Sequence, residues 1–103
     1  MKEHYTYCIY NTLTKKMYVG MRTSINRTAE EDLWIKYFTS SKVIKQLLKD
    51  KYPPEVWKFK VLEKFPVKTL AHRHERKLLK EIWELGSYKR FYNKAFLDEH
   101  KGV

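Results

Sequence analysis

The fold is decided by the stretch from Tyr5 to Gly20, whose sequence is YTYCIYNTLTKKMYVG. Aromatic and β-branched residues are frequent at both ends of this stretch, and its middle carries the turn-like segment NTLTK. Such an order predicts two strands, over residues 5–10 and 16–21, which a short loop joins into a β-hairpin. The rest of the chain has to build a domain around this hairpin.

Each predicted strand carries one tyrosine of particular interest, Tyr7 and Tyr18, and the two lie eleven residues apart. Side chains alternate between the two faces of a strand, so Tyr7 shares a face with Tyr5, and Tyr18 shares a face with Gly20. A register that pairs Tyr7 with Tyr18 would place both hydroxyls over one patch of the sheet, although the sequence alone leaves the register open. The glycine leaves open space beside Tyr18.

The length and composition predict one small globular domain. The chain has 103 residues, of which 43% are hydrophobic and 16% aromatic, enough for a core and too many for a disordered chain. We expect a single domain over residues 1–103, with a frayed tail over about 97–103. The one cysteine, Cys8, excludes an intramolecular disulfide and a Cys-based zinc finger and suits a reducing compartment. No apolar run approaches the roughly 18 residues of a membrane span, so we expect a soluble, cytoplasmic protein.

The charge balance indicates a polyanionic partner. Lysine and arginine number 22 against 12 aspartate and glutamate, which gives a formal net charge of +10. An excess of that size on a small surface attracts a phosphate backbone over a Debye length. A generically basic protein, or one drawn to an anionic membrane, is the alternative, but the sequence has no long helix with one apolar and one fully basic face. Nucleic acid is therefore the expected partner.

The remaining pattern predicts helices around a third strand. A short helix with an acidic first turn is expected over 28–38, and a helix of about ten residues begins at Lys42 after the N-cap candidates of 39–41. A third strand is expected over 57–62, and the longest helix over 69–85. The predicted fold class is α+β, with a small three-stranded antiparallel sheet flanked by helices.

Two of these elements have distinct faces. In the third strand, Trp57, Phe59 and Val61 alternate with other residues, which predicts that these three share one buried face. The helix from Lys42 has an apolar side, and its opposite side fits a solvated surface as well as it fits phosphate contacts. That opposite side consists of Lys42, Lys45 and Lys49.

Glu75 lies in the middle of the apolar stripe of the longest helix. A carboxylate centred on a buried face is costly unless a cation or strong donors compensate it. Two explanations stay open, an ion pair with an arginine at the edge of the stripe, and a metal ligand or other functional carboxylate. His72 and His74 point to different sides of the helix, so they are not expected to form a two-histidine metal site. The stripe consists of Ala71, Leu78, Leu79, Ile82, Trp83 and Leu85.

These features together resemble the GIY-YIG family of nucleases over most of the chain. Tyr5-Thr6-Tyr7 and Tyr18-Val19-Gly20 correspond to the two triplets that name the family, and the long helix with Glu75 follows in the family's order. Gly20-Met21-Arg22-Thr23 and the segment YFTSSK over 37–42 are similar to the small phage-type, homing-endonuclease-like branch. The first triplet departs from the family pattern, because Tyr5 stands in place of a glycine and Thr6 in place of an aliphatic residue.

The resemblance implies a set of active-site residues. Tyr7 and Tyr18 would be the active-site phenols. Glu75 would hold one Mg²⁺ or Mn²⁺ ion. The arginine has two candidates, since Arg22 follows the phage-type pattern and is preferred, whereas Arg27, nine residues beyond Tyr18, approximately fits the spacing of many other members. Asn93 would be a positioning residue. The candidates for nucleic-acid contact are Arg27, Lys42, Lys45 and Arg76.

Such a set suits phosphodiester hydrolysis. A divalent ion on Glu75 would polarise the phosphate and stabilise the leaving oxygen, and Arg22 would neutralise a non-bridging oxygen. A tyrosine at its ordinary pKa of about 10 is a poor base, but a nearby arginine and metal favour the phenolate. Tyr18 is then the candidate base and Tyr7 a water-positioning partner, an order that the sequence does not decide. Since no second carboxylate lies at metal-ligand spacing, a two-metal site is disfavoured.

Two functions remain open from the sequence. The first, which the resemblance implies, is a DNA endonuclease encoded by a phage or mobile element and acting in the host bacterial cytoplasm. We expect such an enzyme to have low intrinsic sequence specificity, to read a short site, or to rely on a protein partner or dimerisation for target choice and for cutting both strands. The second is a non-catalytic basic DNA- or RNA-binding module on the same fold. Glu75 separates the two, because a carboxylate would repel the phosphates that a pure binder must hold.

Overall fold

The computed structural model describes residues 2–35, 37–39, 41–85 and 91–92. They form an α+β fold in which a three-stranded antiparallel sheet carries helices, as the sequence predicts. The predicted frayed tail lies outside the described residues. In chain order the elements are β1 (Lys2–Asn11), β2 (Met17–Ile25), α1 (Ala29–Asp32), α2 (Lys42–Asp50), a single 3₁₀ turn (Pro54–Val56), β3 (Trp57–Phe65) and α3 (Lys68–Glu84).

The sheet has the order β2-β1-β3, so β1 is the central strand. Tyr7 lies opposite Gly20, and Tyr18 lies opposite Ile9, so the register that pairs Tyr7 with Tyr18 is wrong by two residues. The hairpin loop sets this register, because the backbone N–H of Asn11 donates to Lys16 C=O at 2.9 Å and closes the loop there. A shift of two residues leaves every side chain on its predicted face.

One face of the sheet, here called the tyrosine face, carries alternate residues of the hairpin. It consists of Tyr5, Tyr7 and Ile9 of β1 with Tyr18, Gly20 and Arg22 of β2. The β1 side chains of this face are buried against Ala29, Leu33 and Ile44, which come from α1, the loop after it and α2. The opposite face is covered by α3, where Leu79 packs on Val19. Both faces of β1 are therefore buried.

The predicted helix over 28–38 is only one turn long. Its start is as expected, because Thr28 and Glu31 form a reciprocal capping box at the N-terminus of α1. Leu33 then adopts an extended backbone (φ −66°, ψ 126°), and Trp34 has a positive φ of 63°. Neither conformation continues a helix, so the chain turns back over the tyrosine face instead.

The helix predicted from Lys42 is confirmed as α2. The side chain of Ser41 caps it by accepting a hydrogen bond from the backbone N–H of Ile44 at 3.3 Å. Ile44 is buried in the core, and the three lysines of the opposite side are exposed to solvent.

Two apolar assignments fail at the margins of the fold. Phe59 of β3 is about half exposed, whereas Trp57 on the same face is buried, because β3 is an edge strand and the Trp34 ring covers Phe59 only in part. Leu85 follows the last residue of α3 and is exposed, so it does not belong to the buried stripe of that helix. Within the part of the chain that the structure describes, no helix is long and apolar enough to cross a membrane.

Candidate active site

The tyrosine face opens to solvent along the edge strand β2. The side chains of Tyr18 and Arg22 lie there on either side of Gly20, and both are half-buried. The rings of Tyr7 and Tyr18 lie 6.1 Å apart, since the two residues are diagonal neighbours across the hairpin. The structure therefore brings together the two predicted phenols and the preferred arginine on one face.

Gly20 is required here for space. A Cβ atom at this position would lie 2.6 Å from both Cζ and Oη of Tyr7 and 2.9 Å from Cε1 of Tyr18. These distances are too short for any real contact, so only a residue without a side chain lets the two rings close over β2. The glycine thus determines how the two phenols are placed.

Replacing Gly20 with alanine is expected to destabilise the protein by about 2 kcal/mol, because the added methyl group overpacks a buried site. Urea unfolding of the two proteins measures the difference. The destabilisation that alanine causes should be smaller in a protein that also carries Tyr7→Leu, because both of the atoms closest to the added methyl group are then absent. An unchanged urea midpoint for Gly20→Ala would contradict the packing described for β2.

Tyr7 is fully buried, and its hydroxyl lies 3.3 Å from that of Tyr37. The rings of these two tyrosines meet edge to face with their centroids 5.9 Å apart. Burial raises the pKa of Tyr7 far above its ordinary value, and the neighbouring Tyr18 and Tyr37 raise it further. The Tyr7 hydroxyl therefore stays protonated. In this structure the hydroxyl contacts Tyr37 and has no direct access to solvent.

Two arginines converge on one buried carboxylate, Asp32 at the end of α1. Arg22 Nε donates to Asp32 Oδ2 at 3.2 Å, and Arg27 Nε donates to Oδ1 at 2.7 Å. The Tyr5 hydroxyl also donates to Oδ2, at 2.7 Å. Asp32 is fully buried, while the side chains of Arg22 and Arg27 remain 33% and 32% exposed. The carboxylate thus holds both guanidinium groups at the surface of the tyrosine face.

The Arg22 guanidinium is fixed from a second side. Its Cζ lies 4.3 Å from the centroid of the Tyr37 ring, a cation–π contact. Arg22 and Arg27 each bind Asp32 through Nε, so these bonds do not occupy their terminal Nη groups, which can donate to an anion. We name these two side chains the arginine pair.

Burial by itself would raise the pKa of Asp32. The hydrogen bonds from Tyr5, Arg27 and Arg22 outweigh that effect and hold the pKa below its ordinary value. Asp32 is consequently ionised throughout the neutral range, and the group of two arginines and one aspartate keeps one net positive charge. The site therefore favours an anion such as a phosphate group.

Glu75 reaches the edge of β2 from the other side of the sheet. Its carboxylate accepts a hydrogen bond from the backbone N–H of Met21, the residue between Gly20 and Arg22. The side chain is 18% exposed, and its Oε1 lies 3.6 Å from His72 Nδ1. Burial raises the pKa of Glu75, although the charges of His72 and Arg76 and the Met21 bond act in the opposite direction. The carboxylate is therefore beside the strand that carries Tyr18 and Arg22.

A divalent ion at this edge would have few protein ligands. Across residues 2–35, 37–39, 41–85 and 91–92, no group of three or more His, Cys, Asp or Glu side chains is arranged to hold a metal. Mg²⁺ usually keeps several waters and binds through one or two carboxylates together with substrate phosphates. Glu75 can supply one such carboxylate, so the residues fit a Mg²⁺ or Mn²⁺ ion that water and a phosphate complete.

The remaining predicted contacts lie apart from this edge or outside the described residues. Lys42 and Lys45 are exposed on α2, and Arg76 is half-buried on α3 beside Glu75. Asn93 lies outside the described residues, although its neighbour Tyr92 donates its backbone N–H to Met17 C=O at 2.7 Å, at the edge of β2.

Sequence reasoning missed three residues of this site, namely Tyr5, Asp32 and Tyr37. Asp32 reads as one of several acids in the first turn of a helix, and nothing local distinguishes it from Glu30 or Glu31. Of the three, only Tyr5 could have been found from the sequence pattern, because alternation places it on the same face of the strand as Tyr7. The contact of Tyr37 depends on the path of the loop after α1, which no periodicity predicts.

The chain was compared with protein-family models, with curated proteins and with solved structures, and none of them matches it.

Proposed function

We propose that this protein is a metal-dependent DNA endonuclease of the GIY-YIG type, which hydrolyses phosphodiester bonds with a single divalent ion. The observation that carries the proposal is the meeting of three kinds of group on one edge strand. Tyr18 and Arg22 project from β2, and Glu75 binds the backbone N–H of Met21 between them in sequence. A phenol, a guanidinium and a carboxylate along one strand edge are the groups that the chemistry needs.

The arginine pair would bind the phosphate. The Nη groups of Arg22 can donate to a non-bridging oxygen, and the contact with Tyr37 fixes the guanidinium before the substrate arrives. Arg27, held by the same carboxylate, would bind the same phosphate or the next one along the strand. Both arginines therefore contribute, and the orientation of Arg22 favours it as the one that stabilises charge on the reacting phosphoryl group.

Tyr18 is the phenol that we assign to the attacking water. It is half-buried and faces solvent, whereas the buried hydroxyl of Tyr7 keeps its proton. Tyr7 then orients the aromatic groups around it, through its ring contact with Tyr18 and its hydroxyl contact with Tyr37. A divalent ion bound at Glu75 would supply Lewis-acid polarisation of the phosphate and charge stabilisation at the leaving oxygen.

A non-catalytic nucleic-acid-binding module is the second candidate function. The complete burial of Tyr7 favours it, because one of the two tyrosines that the family resemblance places in the active site is closed off from solvent. The arginine pair would serve a binder equally well. The carboxylate of Glu75 has no use in such a protein, since it repels the phosphates of the ligand.

The test is cleavage of supercoiled plasmid and of branched and single-stranded DNA with Mg²⁺ or Mn²⁺, with and without EDTA. We expect cutting that EDTA abolishes. Tyr18→Phe should lose roughly 10²- to 10⁴-fold in rate, the usual contribution of general acid–base catalysis. Arg22→Lys should lose roughly 10²-fold, because lysine has no bidentate fork, and Arg27→Lys should lose less.

The result that decides against catalysis is equally direct. Binding of DNA by the wild-type protein without any cutting of duplex, single-stranded or branched DNA would favour the binding module. Equal losses for Arg22→Lys and Arg27→Lys would overturn the assignment of Arg22 while leaving the nuclease proposal in place.

A further inference from the structure

An open aromatic surface lies beside the core at the β3 edge of the sheet. The ring of Trp34 stacks on that of Phe59 with their centroids 5.9 Å apart and 23° between the planes. The Phe38 ring meets the Trp34 ring edge on, 5.0 Å between centroids. Phe38 and Phe59 are 38% and 48% exposed, a large fraction for large apolar side chains. We name these three residues the aromatic platform.

The backbone holds Trp34 in place against a conformational cost. Its φ of 63° lies in the left-handed region, which a bulky residue rarely adopts. Two hydrogen bonds fix the turn, because the Trp34 N–H donates to Tyr37 C=O at 2.7 Å and the Tyr37 N–H donates to Asp32 C=O at 2.9 Å. Strain of this kind persists where the surroundings over-determine it, and it is frequent at functional sites.

The platform shares its face with the arginine pair. Phe59 lies opposite Ile9, which lies opposite Tyr18, so two strand spacings, about 10 Å, separate Phe59 from the strand of Tyr18. The loop after α1 joins the two surfaces, since Tyr37 packs under Arg22 and its backbone carbonyl binds Trp34. A ligand that crosses this loop would meet cations at the β2 edge and exposed rings at the β3 edge.

We propose that the aromatic platform stacks with an unpaired base of single-stranded DNA whose phosphates lie on the arginine pair. This deepens the proposed function and rests on it, because it assigns DNA with unpaired bases as the substrate class. Every base has a face that an aromatic ring can stack on, but an intact duplex keeps those faces covered. The net charge of +10 complements a polyanion.

The test is binding of a fluorescein-labelled oligothymidylate, and of an abasic oligonucleotide of equal length, measured by anisotropy in EDTA. We expect the wild-type protein to prefer oligothymidylate. Phe59→Ala should weaken oligothymidylate binding by about 5- to 100-fold and leave abasic binding unchanged, because stacking is lost while the phosphate contacts stay. Phe59→Trp should retain the preference. Leu62→Ala, which removes another exposed apolar side chain from β3, is the matched control and should bind as the wild type does.

The outcomes separate this inference from the proposed function. Equal losses on both oligonucleotides, or no loss, would overturn the platform as a base-stacking site even if the protein cuts DNA. A wild-type dimer in sedimentation that Phe59→Ala converts to a monomer, without the change in base preference, would show that a second copy covers the platform. A base preference that depends on Phe59 in a protein that never cuts would support the platform and refute the nuclease. Circular dichroism confirms that each variant is folded.

Discussion

Replacing Glu75 with glutamine is expected to reduce magnesium-dependent cleavage of DNA by roughly 10³-fold, because the site loses its one carboxylate for a divalent ion. The glutamine oxygen can still accept the hydrogen bond from Met21 N–H, so the edge of β2 keeps its shape. DNA binding in EDTA should be unchanged or slightly stronger, since a negative charge beside the phosphate is gone. Initial rates of plasmid cleavage and anisotropy of a labelled oligonucleotide measure the two effects separately.

The same substitution should make the protein more stable at neutral pH. Because the folded state raises the pKa of Glu75, the ionised form is disfavoured there relative to the unfolded chain. The destabilisation from the ionised carboxylate is absent below the unfolded pKa of 4.5. It grows as the pH rises from that value to the higher folded pKa and is complete above the folded pKa. Glu75→Gln removes that destabilisation, so its thermal midpoint should exceed that of the wild type at pH 7 and converge with it near pH 4.

Loss of activity with a higher midpoint would identify Glu75 as a functional carboxylate, since unfolding could not explain it. Glu81→Gln is the matched control, because Glu81 is an exposed glutamate of the same helix. It should change neither cleavage nor the midpoint appreciably. Retained cutting by Glu75→Gln would refute the metal site.

Replacing Asp32 with asparagine is expected to lower the free energy of unfolding by about 3 kcal/mol at pH 7, because it removes the carboxylate from a buried ion-pair group. The asparagine oxygen can accept from one arginine, but its amide then faces the donors Arg22 Nε and Tyr5 Oη. We take the lower end of the usual range, since Arg22 and Arg27 are partly exposed and can turn toward water. Urea unfolding measures the difference.

The effect of Asp32 should depend on pH in one direction. The folded state lowers its pKa, so its stabilising contribution is fully present above the unfolded value of 3.8 and is lost as the pH falls through the lower folded value. The difference between wild type and Asp32→Asn should therefore be constant from about pH 5 to pH 7 and shrink below about pH 4. A difference that grows in acid would contradict the ionised state of Asp32.

Asp32→Asn should also slow cleavage, because the arginine pair loses the group that orients it. Glu30→Gln is the matched control on the same helical turn. Glu30 is exposed and pairs with Lys64 at the surface, where an ion pair contributes little, so this variant should behave as the wild type. If Asp32→Asn and Glu30→Gln are equally stable and active, Asp32 does not organise the site.

Much of the fold follows from periodicity along the chain. Alternation over residues 5–10 and 16–21 predicts the hairpin, and the spacing of Ala71 and Leu79 predicts the buried side of α3. These patterns depend on neighbours within a few residues, which is why they are legible in a sequence. The loop after α1 has no such pattern, and there the prediction of one helix to residue 38 is wrong.

The candidate site divides in the same way. The alternation that places Tyr7 with Tyr5 and Tyr18 with Gly20, and the position of Glu75 within an apolar stripe, are properties of single elements, so they follow from the sequence alone. The exposure of Phe59 differs because it depends on where the covering helices end, and alternation within β3 predicts it as buried. Register is also a property of the whole hairpin, and the choice of Gly20 as the partner of Tyr7 comes from how the loop closes.

Which residues act together depends on tertiary packing. Asp32 holds Arg22 and Arg27, and Tyr5 supports it from 27 residues away along the chain. Such contacts form when the loop after α1 folds back over the sheet, and their energy comes from burial and charge that a local pattern does not contain. The sequence determined the hairpin and its tyrosines, whereas packing placed a buried carboxylate under two arginines and brought Glu75 to the edge of β2.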